Sequence, residues 1–140
     1  MPVTVRSGSW AEVGAEAWRI RRRVFGGEQG VSEEHDRDPR DADAFHLLLI
    51  RDGEAIGTAR LLRDGTIGRV ALLPTARGHG LGRVLMEAVE DLARRHGIRR
   101  VHLHAQVHAT GFYARLGYHR HGEPFVEAGI LHNEMEKTLG

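Results

Sequence analysis

The sequence predicts an α/β (α+β) fold, with a three-layer α/β/α arrangement around a central mixed, mostly antiparallel sheet. Apolar segments of strand length are separated by the dipeptides Asp52-Gly53 and Asp64-Gly65, which favour tight hairpin turns. Two longer segments carry apolar residues at helical spacing, so helices are expected to pack on the strands. The 140 residues contain no internal repeat or flexible linker, which predicts one domain spanning residues 1–140.

The first expected element is a helix from Trp10 to Phe25, which begins behind the capping residue Ser9. Residues 26–43 break the helical period with Gly26-Gly27 and an acidic, proline-containing stretch. They are predicted to form a loop with room for one short helix, and loops of this kind often carry substrate contacts. One basic cluster is interpreted as a solvated face of the first helix: Arg19, Arg21, Arg22 and Arg23.

Three strands, a long helix and a mixed C-terminal part are expected next. The strands Phe45–Ile50, Ala55–Leu62 and Thr66–Leu73 should form an antiparallel meander. After Pro74 a glycine-rich segment opens an amphipathic helix that runs from Leu81 to Gly97. The remaining elements are a strand Arg100–Gln106, a helix His108–Leu116 and the strands Tyr118–Val126 and Gly129–Lys137.

Composition excludes several classes of function. The formal charge is only +1, from 20 Lys and Arg against 19 Asp and Glu, which argues against nucleic-acid binding. The absence of cysteine removes disulfides, thiolate metal sites and a cysteine nucleophile. No apolar run is long enough to suggest a membrane span or a secretion signal, so a cytoplasmic location without membrane attachment is expected.

The segment Arg77-Gly78-His79-Gly80-Leu81-Gly82 lies between an apolar strand and an amphipathic helix. Backbone N–H groups at a helix N-terminus lack internal partners and face the positive end of the dipole, so they bind anions. Arg77 and Arg83 could add charge-assisted contacts to a pyrophosphate. Glycines would also serve tight strand-to-helix packing, so the loop alone leaves both interpretations open.

Two other nucleotide-binding motifs do not fit this loop. A Walker loop requires Lys followed by Ser or Thr after its last glycine, whereas Arg83-Val84 follow Gly82. A dinucleotide-binding fold places its glycine turn after the first strand of a parallel sheet, whereas an antiparallel meander precedes this one.

In its motifs the sequence resembles the GNAT superfamily of N-acetyltransferases, whose signature Arg/Gln-x-x-Gly-x-Gly/Ala is matched by Arg77, Gly80 and Gly82. The segments 70–74 (Val-Ala-Leu-Leu-Pro) and 112–118 (Phe-Tyr-Ala-Arg-Leu-Gly-Tyr) are similar to the family's preceding strand and its late helix and turn.

A narrower resemblance points to the ElaA/YjcF-type branch and covers nearly the whole chain. It rests on motif residues in segments 22–31, 106–113 and 125–135. The chain departs from the branch at Gly26-Gly27, where bulkier apolar residues are usual, and at Leu131, where proline is common.

This resemblance implies an acetyl-CoA-dependent N-acetyltransferase that moves an acetyl group to a primary amine by direct attack in a ternary complex. The Leu72 amide would polarise the thioester carbonyl, and Tyr113 would protonate the leaving thiolate unless it is simply a core aromatic residue. The implied cofactor contacts are Val70, Ala71, Leu72, Arg77, Gly78, His79, Gly80, Leu81, Gly82, Arg83, Phe112 and Tyr113.

On the acceptor side, the resemblance implies a pocket for a small-molecule or peptide amine, built by the loop at 26–43 and the last hairpin. The acidic residues of that loop suggest a cationic amine. The general base stays open between Glu28, Glu127 and His132, with Glu127 favoured as a substrate contact. The substrate-binding candidates are Glu28, Gln29, Gln106, Glu127 and His132.

Three further questions stay open at the level of sequence. The pairs His102/His104 and His119/His121 could each present two metal ligands, but acetyl transfer needs no metal and none is predicted. A homodimer through the late strands is allowed for. The rival functions are a catalytically silent CoA- or acyl-CoA-binding regulatory module and a nucleotide-binding structural module.

Overall fold

A computed structural model describes residues 2–140 and contains a seven-stranded sheet in the order β1-β2-β3-β4-β5-β7-β6. All neighbouring strands are antiparallel except β4 and β5, which are parallel. The strands are β1 Val3–Gly8, β2 Phe45–Arg51, β3 Glu54–Leu61, β4 Thr66–Leu72, β5 Arg100–Gln106, β6 His119–Glu127 and β7 Ile130–Thr138. The helices are α1 Trp10–Arg21, α2 Glu33–Asp36, α3 Leu81–Arg95 and α4 Thr110–Arg115, with a π-helix at Arg22–Glu28 and a 3₁₀ turn at Pro39–Asp43.

Alternation along the strands divides the core between two helical layers. Leu48 on β2 packs with Val13, Ala17 and Ile20 of α1 on one face. Leu47 and its same-face neighbours pack with α3 on the other face. Because successive strand residues point to opposite faces, one apolar strand serves both layers. The mixed, mostly antiparallel three-layer fold predicted from the sequence is confirmed.

The strand β1 was missed by the sequence prediction, which began with a helix. It is an edge strand of six residues whose pattern is mostly exposed, and Val5 retains 44% of its accessible surface. A strand that is bonded on one edge only and buried on neither face needs no apolar alternation, so the sequence carries little signal for it.

The first helix also differs from the prediction, because it continues as a π-helix to Glu28 instead of breaking at Gly26-Gly27. The Arg22 side chain crosses over Gly26, where a Cβ would overlap its guanidinium group. From there Arg22 donates to the Val31 carbonyl at 2.7 Å and to Asp36 at 3.1 Å. The glycine that departs from the branch pattern therefore makes room for this arginine.

The interpretation of the arginine cluster as a solvated face is wrong for Arg21, which is 1% exposed. Its guanidinium donates to the Asp36 carboxylate at 2.9 and 3.0 Å and to Asp41 at 3.1 Å. Arg60 and Arg69 complete this network, which we call the Arg–Asp network, with bonds to Asp41 and Asp36. A buried charge is tolerated only when it is paired, so the acidic segment folds back onto the sheet.

This network removes one argument drawn from the acidic loop. Asp36 and Asp41 are buried and Asp38 is bonded by Arg40 and Arg60. Burial alone would raise the pKa of Asp38, but the hydrogen bonds from Arg40 and Arg60 outweigh it and hold the pKa well below its usual value. These carboxylates are neutralised within the protein, so they do not support a cationic acceptor.

Candidate active site

The parallel strands β4 and β5 separate toward their carboxyl ends. Their register contains only the pairs Thr66/His102 and Ile67/Leu103. Beyond Ile67, β4 continues to Leu72 and β5 to Gln106 without pairing between them, and an opening results. We call this opening the cleft. Its walls are strand edges, which carry N–H and C=O groups able to pair with an extended ligand.

A β-bulge in β4 causes the separation. Arg60 of β3 pairs with Gly68, whereas Thr58 pairs with Ala71, so two residues of β4 lie opposite one of β3. Arg69 at this point has a φ of 51°, which is uncommon for a residue with a side chain. Its guanidinium is fixed by the Asp36 carboxylate and carbonyl, both at 3.1 Å. Since a bulge bends and twists its strand, the Arg–Asp network helps to hold the cleft open.

The backbone direction at the end of β4 places an amide in the cleft. The Leu73 N–H donates to the Ile56 carbonyl of β3 at 2.9 Å. Neighbouring N–H groups of an extended chain point to opposite edges, so the Leu72 N–H points away from β3 and into the cleft. The Leu72 carbonyl shares this direction and accepts two bonds from Arg77, at 2.9 and 3.2 Å.

The glycine loop presents open backbone at the start of α3. Gly80 is the N-cap residue with a φ of 73°, and no side chain caps this helix, whereas Ser9 caps α1 and Ser32 caps α2. A Cβ at Gly78 or Gly80 would meet nothing within 4 Å. The exposed N–H groups of this 15-residue helix fit an anion such as a pyrophosphate.

Contacts around the loop explain why residue 82 is a glycine and where the side chains of Arg77 and Arg83 lie. A Cβ at Gly82 would lie 3.2 Å from the Phe112 ring, so this glycine lets the aromatic residue of α4 approach the loop. Arg83 pairs along the helix with Glu87 at 2.8 Å. Arg77 turns toward β4 and forms a two-pronged ion pair with Glu28 at 2.6 and 2.9 Å. Hydrogen bonding from Arg77 lowers the pKa of Glu28, so its carboxylate stays charged.

Tyr113 lies beside the loop on α4. It is half-buried and packs edge-on against Phe112 and Tyr118, with ring centroids 5.0 and 5.9 Å apart. Burial alone raises the pKa of Tyr113 to about 12, so the phenol is neutral at physiological pH. Tyr118 differs because its hydroxyl donates to the buried Glu90 at 2.7 Å.

The five predicted acceptor-side residues are joined in two groups. Gln29 follows the π-helix and accepts a bond from Gln106, at the end of β5, at 2.8 Å. The preceding residue, Glu28, is held by Arg77 at the end of β4, so the segment 28–29 links both walls of the cleft. The second group contains Glu127 and His132, with Oε2 of Glu127 3.9 Å from Nε2 of His132.

Sequence reasoning missed two members of the second group. His104, considered only as a metal ligand, bonds through Nδ1 to Glu127 at 3.0 Å. The Phe125 ring stacks on His132 and meets His104 edge-on, with centroids 5.9 and 4.9 Å apart. The register pairs Gln106 with His132 and His132 with Phe125, and this cross-strand information is not readable from residue spacing.

The described residues contain neither a metal-binding cluster nor a membrane-spanning helix. Within residues 2–140, no group of three or more His, Cys, Asp or Glu residues is arranged to hold a metal ion. Over the same range, no helix combines the length and the apolar character that a membrane crossing requires.

Comparisons with known proteins agree with the geometry. A family model described as an acetyltransferase (GNAT) domain matches residues 11–139. The uncharacterized N-acetyltransferase YjcF of Bacillus subtilis (strain 168) is 32% identical over 126 residues, covering 87% of this chain and 90% of YjcF. The crystal structure of Escherichia coli ElaA matches with a TM-score of 0.86 at 26% identity, covering 97% of this chain and 99% of ElaA. An acyl-CoA N-acyltransferase from Pseudomonas aeruginosa matches with a TM-score of 0.85 at 31% identity, covering 98% of this chain and 100% of that one.

These matches confirm the resemblance found in the motifs. The protein is an acyltransferase with a CoA-type co-substrate, and acceptors in this family are generally small molecules or peptides. Together, the matches and the cleft beside the glycine loop show that the chain belongs to the GNAT acetyltransferases, in their ElaA/YjcF-like branch.

Proposed function

We propose that this protein transfers the acetyl group of acetyl-CoA directly to a primary amine within a ternary complex. The observation that carries the proposal is the cleft between β4 and β5 with the uncapped start of α3 beside it. One feature accepts an extended chain and the other an anion, which are the two parts of a CoA molecule that an acyltransferase must hold.

The donor is proposed to bind along β4 and across the glycine loop. The free edge of Val70, Ala71 and Leu72 pairs with the amides of the pantetheine arm, as an added strand would. The backbone N–H groups of residues 78–83 bind the pyrophosphate at the N-terminus of α3. Phe112, held against Gly82, supports the loop from the side of α4.

The Leu72 N–H is proposed to stabilise the oxyanion that develops on the thioester carbonyl. It points into the cleft because its neighbour Leu73 bonds to β3. Arg77 is fixed on the Leu72 carbonyl, so its positive charge lies at the same strand end. A fixed donor in a site that excludes water typically lowers such a barrier by about 3–4 kcal/mol.

Tyr113 is proposed to donate its proton toward the departing sulfur. A phenol whose pKa is raised to about 12 stays protonated throughout the physiological range, so the donor form is always present. The sequence has no cysteine, so a cysteine-linked acetyl intermediate is not available to this chain. The absence of cysteine and the open cleft both support direct attack by the amine.

The acceptor amine is proposed to enter between the segment 28–29 and the β6–β7 hairpin. Gln29 and Gln106 offer amide groups there, and Glu127 and His132 lie on the neighbouring strands.

Both rival functions, a silent CoA-binding module and a nucleotide-binding structural module, predict no acetylated product.

The test is thiol release from acetyl-CoA across a panel of primary amines, with and without protein. An acetyltransferase releases one thiol for each acetylated amine detected by mass spectrometry, and ADP competes more weakly than CoA. Binding of acetyl-CoA in calorimetry with no thiol release from any amine class would favour the silent module and contradict the proposal. The Gly80→Val variant serves as a control, because a β-branched residue strains the left-handed backbone at the helix start.

A further inference from the structure

His132 is a buried histidine on β7 whose orientation is fixed. Its side chain is 8% exposed, it lies opposite Gln106 at the end of β5, and its ring stacks on Phe125. Its Nδ1 is 2.7 Å from the Ile130 carbonyl oxygen. A carbonyl oxygen can only accept, so Nδ1 carries the hydrogen and donates it. In the neutral ring, Nε2 therefore keeps a lone pair that can accept a proton.

A carboxylate faces that lone pair. Oε2 of Glu127 is 3.9 Å from His132 Nε2, close enough to form an ion pair once the ring is protonated. The other oxygen of Glu127 accepts a hydrogen bond from His104 Nδ1 at 3.0 Å, which fixes the carboxylate from the side of β5. Arg40, from the 3₁₀ turn, also interacts electrostatically with Glu127. A negative charge this close to Nε2 stabilises an imidazolium ion.

From this geometry we infer that His132 is the general base of the reaction and that Glu127 is its positioning residue. The inference rests on the proposed transfer to a primary amine. The ammonium form of the acceptor gives one proton to Nε2, whose new N–H bond replaces one N–H bond of the substrate. The electron pair of the broken bond stays on the amine nitrogen, which then attacks the thioester carbonyl. The C–S bond breaks as Tyr113 gives its proton to the thiolate, and the second proton that leaves the new amide nitrogen returns through solvent to the Tyr113 phenol. The imidazolium returns the proton to solvent after the thiol departs.

The other two candidate bases are less suited to this step. Glu28 is held by two hydrogen bonds from Arg77, which also lower its pKa, so it has little tendency to take a proton. Glu127 already accepts from His104 and half of its side chain is exposed. His132 combines burial, a fixed tautomer and a position next to the cleft.

The test compares two acceptors of similar size in wild type and His132→Gln. One acceptor is an alkylamine, which is an ammonium ion at neutral pH, and the other is an alkoxyamine, whose nitrogen is already neutral there. Loss of a general base costs about 100-fold or more in kcat with the alkylamine. With the alkoxyamine the loss should stay below about fivefold, because no proton has to be removed before attack. An equal loss with both acceptors would overturn the inference.

Two controls separate this role from folding and from the proposed function. His121→Gln alters an exposed histidine on β6 and should leave both rates at the wild-type level. If His132→Gln fails to fold, as judged by its thermal unfolding, Glu127→Gln replaces it. That variant should lower kcat with the alkylamine and leave its KM near the wild-type value. A raised KM with unchanged kcat would make Glu127 a substrate contact instead. The alkylamine is taken from those that the wild type acetylates in the panel, and if the wild type acetylates no amine of the panel, the proposed function itself fails.

Discussion

Replacing Asp36 by Asn should strongly destabilise the protein. Both oxygens of this buried carboxylate accept only from arginines. Oδ1 accepts from Arg21 at 2.9 and 3.0 Å and from Arg69 at 3.1 Å, while Oδ2 accepts from Arg22 at 3.1 Å. An asparagine has the same shape, but its NH₂ group would face an arginine donor and its charge would be lost.

The size of the effect follows from burial. Arg21 and Asp36 are each 1% exposed in their side chains, so Arg21 would keep a charge that water cannot solvate. Removing one partner of a buried ion pair costs about 3–5 kcal/mol. For a chain of 140 residues, unfolding entropies near 2.1 cal/mol/K per residue convert this loss into a fall in Tm of roughly 10–17 °C.

Urea unfolding and calorimetry of the variant measure this change directly. Glu34→Gln is the matched control, because Glu34 is an exposed carboxylate on the same short helix and its loss should change the unfolding free energy by less than about 0.5 kcal/mol. Asp36→Asn should also weaken acetyl-CoA binding, since Asp36 fixes Arg69 at the bulge of β4. A destabilisation below about 1 kcal/mol would refute the claim that the Arg–Asp network anchors this region.

Three further predictions concern the loop, the acid and the core. Gly80→Ala should weaken acetyl-CoA binding about tenfold in calorimetry, because it strains a residue at φ 73° in the site. The control is Gly53→Ala, at φ 77° in the β2–β3 turn, which should leave the affinity for acetyl-CoA unchanged. Tyr113→Phe should lower kcat with little change in KM, and the wild-type pH–rate profile should show no loss from Tyr113 ionisation below about pH 11, since its pKa is about 12. Burial lowers the pKa of His46, so the unfolded chain binds this proton before the folded chain does as the pH falls. The free energy of unfolding should therefore decrease when the pH is lowered from about 6.5, and it should decrease less in His46→Gln than in wild type.

Much of the fold was predictable because its signals are local. Asp52 and Gly53 both adopt positive φ in the hairpin that their dipeptide predicted, and Gly97 ends α3 in the left-handed region as expected. The amphipathic pattern of α3 and the boundaries of β5 were also confirmed. By contrast, β1 left little trace in the sequence because an edge strand exposed on both faces needs no apolar pattern.

What the sequence could not supply was pairing between distant side chains. From the sequence, the acidic loop is typical of a substrate-binding surface. In the structure, the buried Arg21, which lies 15 residues before Asp36 and 20 before Asp41, neutralises both carboxylates. The same limit hid the neighbours of His132, because contact with Glu127 depends on the register of three strands. Motif order predicted the sequence of strand, glycine loop and helix beside the cleft, whereas the arrangement of the acceptor-side residues depends on these long-range contacts.

The central claim is direct acetyl transfer to a primary amine, and an initial-rate matrix tests it most directly. Acetyl-CoA and an amine found active in the panel are varied together, and the acetylated product is confirmed by mass spectrometry. A ternary complex predicts intersecting double-reciprocal lines and a product heavier by one acetyl group. Parallel lines would indicate an acetylated enzyme intermediate, and thiol release without acetylated amine would show hydrolysis. Either result would contradict the account.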